Sequence, residues 1–128
     1  MKTEMIHQDL TESIIGACFE VMNELGAGFL ESVYEKALLI ALRDKKITAQ
    51  SQVPLSVIFR GEKVGEFFSD ILVEGKVIIE LKAAKAMAPE HQAQIINYLK
   101  ATGIDLGLLV NFGPTRLEFK RFYRKGLS

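Results

Sequence analysis

Cysteine is almost missing from this sequence: Cys18 stands alone among 128 residues. One thiol closes no internal disulfide and supplies no cysteine-based zinc site. Histidine is nearly as scarce, and His7 and His91 lie far apart with no partner at ligand spacing, so both read as surface residues rather than metal ligands. No apolar run reaches the roughly 20 residues that span a bilayer. Met1-Lys2-Thr3-Glu4 leads straight into polar sequence without a signal-peptide pattern, which makes a cytoplasmic location the expectation and a membrane partner unexpected. Excess charge of either sign is lacking too, since 16 basic residues balance 16 acidic ones. Nucleic-acid binders usually carry a basic excess, so composition speaks weakly against tight DNA or RNA binding. It leaves a nuclease open, because a bound cation reverses the local charge of a carboxylate cluster. The basic tail, Arg116, Lys120, Arg121, Arg124 and Lys125, reads as solvated terminal charge. Repeats, low-complexity tracts and linkers are absent, no serine sits in a nucleophile elbow, and Gly26-Ala27-Gly28 is too short for a phosphate-cradling loop.

What remains is an ordinary globular composition, 48% apolar and 25% charged, expected to form a single domain over residues 1–128. Asp9 to Leu25 predicts a first helix: Asp9-Leu10-Thr11-Glu12 has capping-box spacing, and Ile14, Cys18, Val21, Met22 and Leu25 form one apolar stripe. Gly26-Ala27-Gly28 breaks it. A second helix is predicted from Phe29 or Leu30 to about Lys45, with Leu30, Val33, Tyr34, Ala37, Leu38, Ala41 and Leu42 at core spacing. Val53, Leu55, Val57 and Phe59 alternate as a strand, Arg60-Gly61-Glu62-Lys63 reads as a hairpin turn, and Val64 to Val73 follows as a second strand. After Glu74-Gly75 comes a third, Val77 to Lys82, completing an antiparallel meander. Pro89 suits the first turn of a third helix that ends at Gly103. Leu106 to Phe112 is a nearly all-apolar strand of a sheet covered on both faces, and Leu117 to Tyr123 is the last. The order α-α-β-β-β-α-β-β, with a helical crossover between the third and fourth strands, predicts an α/β fold whose mixed sheet makes that pair parallel.

The chemistry concentrates in Val77-Ile78-Ile79-Glu80-Leu81-Lys82. Strand alternation puts Glu80 and Lys82 on one face, at the end of a segment too apolar for a solvated surface. Ten residues upstream, Asp70 sits inside Phe67-Phe68-Ser69-Asp70-Ile71-Leu72-Val73. Asp70 and Glu80 offer hard oxygen ligands suited to Mg²⁺ or Mn²⁺, the Leu81 backbone carbonyl can add another, and Lys82 can orient or deprotonate an attacking water. The bland alternative is a surface strand with one salt bridge. Gln94 and Tyr98 share a face of the third helix; they are candidates to bind substrate, or a buried tyrosine satisfied by a glutamine. Glu31 stands in the first turn of the second helix with Tyr34 beside it. It is either a partner of the helix dipole or an outer carboxylate aimed at the metal.

These residues carry a resemblance. The chain resembles the GxxExxY proteins of bacteria and archaea, whose namesake motif stands here as Gly28-Phe29-Leu30-Glu31-Ser32-Val33-Tyr34. Asp70-Ile71-Leu72-Val73, Ile79-Glu80-Leu81-Lys82-Ala83, Gln94-Ile95-Ile96-Asn97-Tyr98-Leu99-Lys100 and Gly107-Leu108-Leu109-Val110-Asn111-Phe112-Gly113 match in order. That family is similar to a compact branch of the PD-(D/E)xK nuclease superfamily. The resemblance implies a restriction-endonuclease-like core and Mg²⁺-dependent hydrolysis of nucleic-acid phosphodiesters, DNA in preference to RNA. It implies metal-binding acids at Asp70 and Glu80, the catalytic lysine at Lys82, and a helical glutamate at Glu31, catalytic or holding the metal through water. Gln94, Tyr98 and Tyr34 fall on the substrate side. Ser69 stands where the superfamily motif has proline. The rival expectations are a non-catalytic module of the same fold and a hydrolase of small phosphoesters. A homo-oligomer is a further expectation, since a domain this small often needs a second copy to grip a duplex.

Overall fold

The computed structural model describes residues 6–124, so the N-terminal Met1-Lys2-Thr3-Glu4 segment and Lys125 of the basic tail lie outside it. Its elements are α1 (Gln8–Leu25), α2 (Glu31–Asp44), β1 (Ala49–Phe59), β2 (Glu62–Val73), β3 (Val77–Lys82), α3 (Pro89–Thr102), β4 (Leu106–Asn111) and β5 (Glu118–Tyr123). The strands form one sheet in the order β1-β2-β3-β4-β5. β3 and β4 run parallel through the α3 crossover, and the other neighbours are antiparallel. This is the mixed α/β architecture expected from the element order.

The apolar stripes explain the layers. Ile14, Cys18, Val21 and Met22 of α1 and Tyr34, Leu38 and Leu42 of α2 pack on Ile71, Val73, Val77, Ile79, Leu81, Leu106, Leu108 and Val110. The opposite face carries Ile78 and Leu109 under Ile95 and Leu99 of α3. β4 is therefore buried along its whole length, which is why it reads as a continuous apolar run. Each such fully buried Leu, Ile or Val contributes about 1.5–3 kcal/mol.

Local signals worked where a single residue type decides the backbone. Gly103 takes the left-handed conformation that ends α3. Arg60 and Gly61 both have positive φ, 50° and 81°, the signature of the tight hairpin joining β1 to β2. That two-residue turn lets β2 begin at Glu62 rather than Val64. β1 likewise starts at Ala49 rather than Val53, because the polar segment Ala49 to Ser51 is recruited by pairing with Val73 to Ile71. The expected capping box on α1 is not made. The helix starts at Gln8 with His7 in the cap position, and Glu12 accepts a hydrogen bond from the Gln8 side chain instead.

One irregularity matters for the site. Leu55 and Phe67 pair across the β1–β2 ribbon and both lie against α3, where Phe67 stacks on Tyr98 at 3.6 Å. Phe67 and Ile71 would share a face in a regular strand, yet Ile71 packs against α1 and α2. The ribbon therefore inverts its pleat between these residues. The inversion falls where Asp70 stands across from Gln52, between the Ser51–Ile71 and Val53–Ser69 pairs.

Candidate active site

Asp70 and Glu80 meet where β2 parts from β3. The β2–β3 ladder runs from Val73–Val77 to Ile71–Ile79 and ends there. In place of the next rung, each acid bonds the opposite strand. The Asp70 amide donates to Glu80 Oε2 at 3.0 Å, and the Leu81 amide donates to Asp70 Oδ2 at 2.8 Å. One oxygen of each carboxylate is thus committed to the scaffold and the other is left for a ligand. Because the Leu81 amide faces β2 while the Lys82 carbonyl accepts from Phe112 on the β4 side, strand alternation turns the Leu81 carbonyl into the same opening.

The electrostatics of this pair are unfavourable as they stand. Glu80 is only 5% exposed. Burial, reinforced by the Asp70 charge, pushes its carboxyl up to about 8, against the pull of the Asp70 amide and the Lys82 ammonium. Two acids that cannot comfortably ionise side by side are a natural seat for a divalent cation. Among the described residues no three His, Cys, Asp or Glu side chains are grouped closely enough to hold a metal unaided. Mg²⁺ is commonly held by one or two carboxylates and keeps several waters, and Asp70 and Glu80 are two carboxylates joined across one strand gap. The donor set therefore fits the ion that the resemblance implies. β3 is buried from Val77 to Leu81, so it is not a surface strand, and Lys82 at its end is half-buried and forms no ion pair among the described residues.

α2 approaches from the other layer. Glu31 opens that helix and is exposed. Glu35, one turn further on, feels the charge of Asp70 and in turn raises Glu80. Burial raises its pKa, a hydrogen bond from Gln52 opposes this, and Asp70 raises it again, with Glu31 the weakest contributor. Sequence reasoning passed over Glu35, although its spacing of four from Glu31 places it on the same helix face. Gln52, whose Nε2 donates to Glu35 Oε1 at 3.0 Å, carried no sequence signal at all.

Tyr34 needs correction. It is fully buried and stacks on Phe112 at 4.4 Å. Its hydroxyl donates to the Gly26 carbonyl at 2.6 Å and accepts from the Phe29 amide at 3.2 Å. No polar atom remains for a substrate; Tyr34 fastens the α1–α2 connection and so fixes where α2 begins. Tyr34→Phe should lower unfolding free energy by about 1–2 kcal/mol in urea titrations and leave metal binding intact.

From α3, Tyr98 reaches the acids. Burial, then the charges of Glu80 and Asp70, raise its pKa, while Gln94 pulls it the other way. Gln94 itself is exposed. The far end of β3 is held by Asn111, whose side chain bonds both the amide and the carbonyl of Ala84 at 3.0 and 2.9 Å. Gly113 leaves room for this clamp, since a Cβ there would lie 2.0 Å from the Ala84 carbonyl oxygen.

The mixed five-stranded sheet thus joins Asp70 of β2 to Glu80 of β3, two residues before Lys82. The sequence profile of the PD-(D/E)XK nuclease superfamily matches residues 8–122, and the chain belongs to that superfamily. Among solved structures it is similar to the crystal structure of SSO0001, with a TM-score of 0.58 at 18% identity over 73% of this chain and 49% of that one. The chain thus spans about half the length of that protein, and the likeness is one of fold. No curated protein matches the sequence.

Proposed function

We propose that the chain is a Mg²⁺-dependent nuclease that hydrolyses phosphodiester bonds of nucleic acid, with DNA as the first substrate and RNA as the second. The observation that carries this reading is the pairing of buried Glu80 with half-buried Asp70, each acid tied by one oxygen to the neighbouring strand. Asp70, Glu80 and the Leu81 carbonyl would hold the ion, with Glu35 of α2 close enough to feel Asp70 and Glu31 acting through water from the exposed start of α2. When bound, a divalent cation neutralises phosphoryl charge and lowers the pKa of water.

The protein's own groups supply the rest. Lys82, which forms no ion pair among the described residues, is available to orient the attacking water or neutralise a phosphate oxygen. Tyr98, whose ring is braced by Phe67, feels the charge of both acids and would face the substrate. Gln94, one turn earlier on α3, extends the same side toward solvent. Ser69 in place of proline takes nothing from this set, because its buried hydroxyl is spent on the Ile71 carbonyl.

The test is cleavage of single- and double-stranded DNA and of RNA with Mg²⁺ or Mn²⁺, comparing wild type with Asp70→Asn. The variant should lose Mn²⁺ binding in calorimetric titration and cleave at least about a hundredfold more slowly. Equal cleavage by both proteins would trace the activity to a contaminant. A wild type that takes up no Mn²⁺ would favour a non-catalytic module.

A further inference from the structure

Gln52 has an awkward backbone and an exact partner, and the catalytic reading above gives it no part. Its φ is 52°, in the left-handed region. That conformation suits glycine, and to a lesser degree asparagine or aspartate, and disfavours longer side chains. Glycine would be the easy choice if only the turn of the chain mattered. Gln52 also stands across from Asp70 in the β1–β2 register, at the step where the ribbon inverts its pleat. On one side of it Ile71 packs on α1 and α2; on the other, Leu55 and Phe67 lie against α3. Its side-chain amide crosses to α2 and donates to Glu35 Oε1 at 3.0 Å. The bond lies at an exposed position, where a hydrogen bond adds little to folding.

We propose that Gln52 is a positioning residue of the metal centre, its left-handed backbone setting the pleat inversion that delivers Asp70 to Glu80, and its amide holding the Glu35 carboxylate toward that pair. The inference rests on the reading of Asp70 and Glu80 as metal-holding acids. One residue thereby couples β1 to the Asp70 position of β2 and to Glu35 of α2. Nothing in the hydropathy pattern marks it, because its function lies in a backbone angle and one long reach.

Two substitutions separate this role from a structural one. Asparagine keeps the left-handed backbone but is one methylene too short to reach Glu35. Glycine removes the strain and the amide together. Calorimetric titration with Mn²⁺, free of any activity measurement, should find Gln52→Asn about tenfold weaker than wild type, the scale on which partners of metal ligands act. Its unfolding temperature should stay unchanged. Gln52→Gly should be at least as stable as wild type and bind Mn²⁺ as weakly as Gln52→Asn. Combining Gln52→Asn with Glu35→Gln should cost no more affinity than Glu35→Gln alone, since both act through one carboxylate. Gln52 variants that bind Mn²⁺ like wild type, or losses that add in the double variant, would overturn the proposal while leaving the metal site standing. A wild type showing no Asp70-dependent Mn²⁺ binding would overturn both.

Discussion

Lys82→Ala should slow phosphodiester cleavage by about three orders of magnitude while Mn²⁺ still binds. Lys82 lies on the Glu80 face of β3, and its positive charge is felt by the Glu80 carboxyl. It takes no carboxylate into an ion pair among the described residues. Removing the ammonium takes away a repulsion toward any cation held by Asp70 and Glu80, so Mn²⁺ affinity should be equal or slightly higher. The predicted signature is thus a loss of turnover without a loss of metal. Lys82→Arg divides the two tasks a lysine can perform there. Arginine keeps a charge for phosphate but cannot give up its proton, so partial activity assigns charge neutralisation and none assigns proton transfer. Full activity in the alanine variant, or loss of metal binding with it, would contradict the role given to Lys82.

Metal-free protein should lose stability as pH rises from 4.5 toward about 8, the span between the ordinary value of a glutamate and that of Glu80 in the fold. The folded state holds a proton on Glu80 through this window that the unfolded chain has released. Unfolding therefore releases a proton, and stability falls with pH until both states are ionised. The full effect is at most about 5 kcal/mol, the free-energy equivalent of that span. Glu80→Gln, which cannot ionise, should flatten the dependence and stand above wild type near the top of the window. Mn²⁺ affinity in the wild type should climb through the same range, because the cation takes the ionised carboxylate and displaces its proton. Thermal unfolding and Mn²⁺ titration across this range, in wild type and Glu80→Gln, check both statements. An unchanged slope in the variant would place the titration elsewhere, with Glu35 the first alternative.

Much of the fold could be read from residue order because the signals are local. β3 matched its expected bounds, Val77 to Lys82, since a short β-branched run between a glycine turn and a polar segment has little else to become. α3 matched from Pro89 to Thr102 because proline opens a helix and Gly103 closes it. The parallel β3–β4 pair followed from the helix between them. Asp70, Glu80 and Lys82 stood out for a related reason: charge inside apolar strands conflicts with burial and calls for a cause.

The misreadings share a different origin. Tyr34 occupies a helix face that the α1–α2 loop covers, and only packing shows the Gly26 carbonyl waiting for its hydroxyl. Glu31 and Glu35 are alike in local pattern. That Glu35 feels Asp70 depends on how α2 crosses the sheet, a matter settled by contacts far apart along the chain. The polar stretch Gln50-Ser51-Gln52 has no alternation, so neither its recruitment into β1 nor the inversion at Gln52 could be anticipated. Residue order alone thus specified the elements and their succession and marked the acids and lysine of β2 and β3 as candidates, because period, turn residues and misplaced charge act within a few residues. Folding in three dimensions decided that Glu35 feels Asp70, that the Tyr34 hydroxyl is spent within the α1–α2 connection, and where β2 parts from β3, because burial and Coulomb interaction follow distance in space rather than along the backbone.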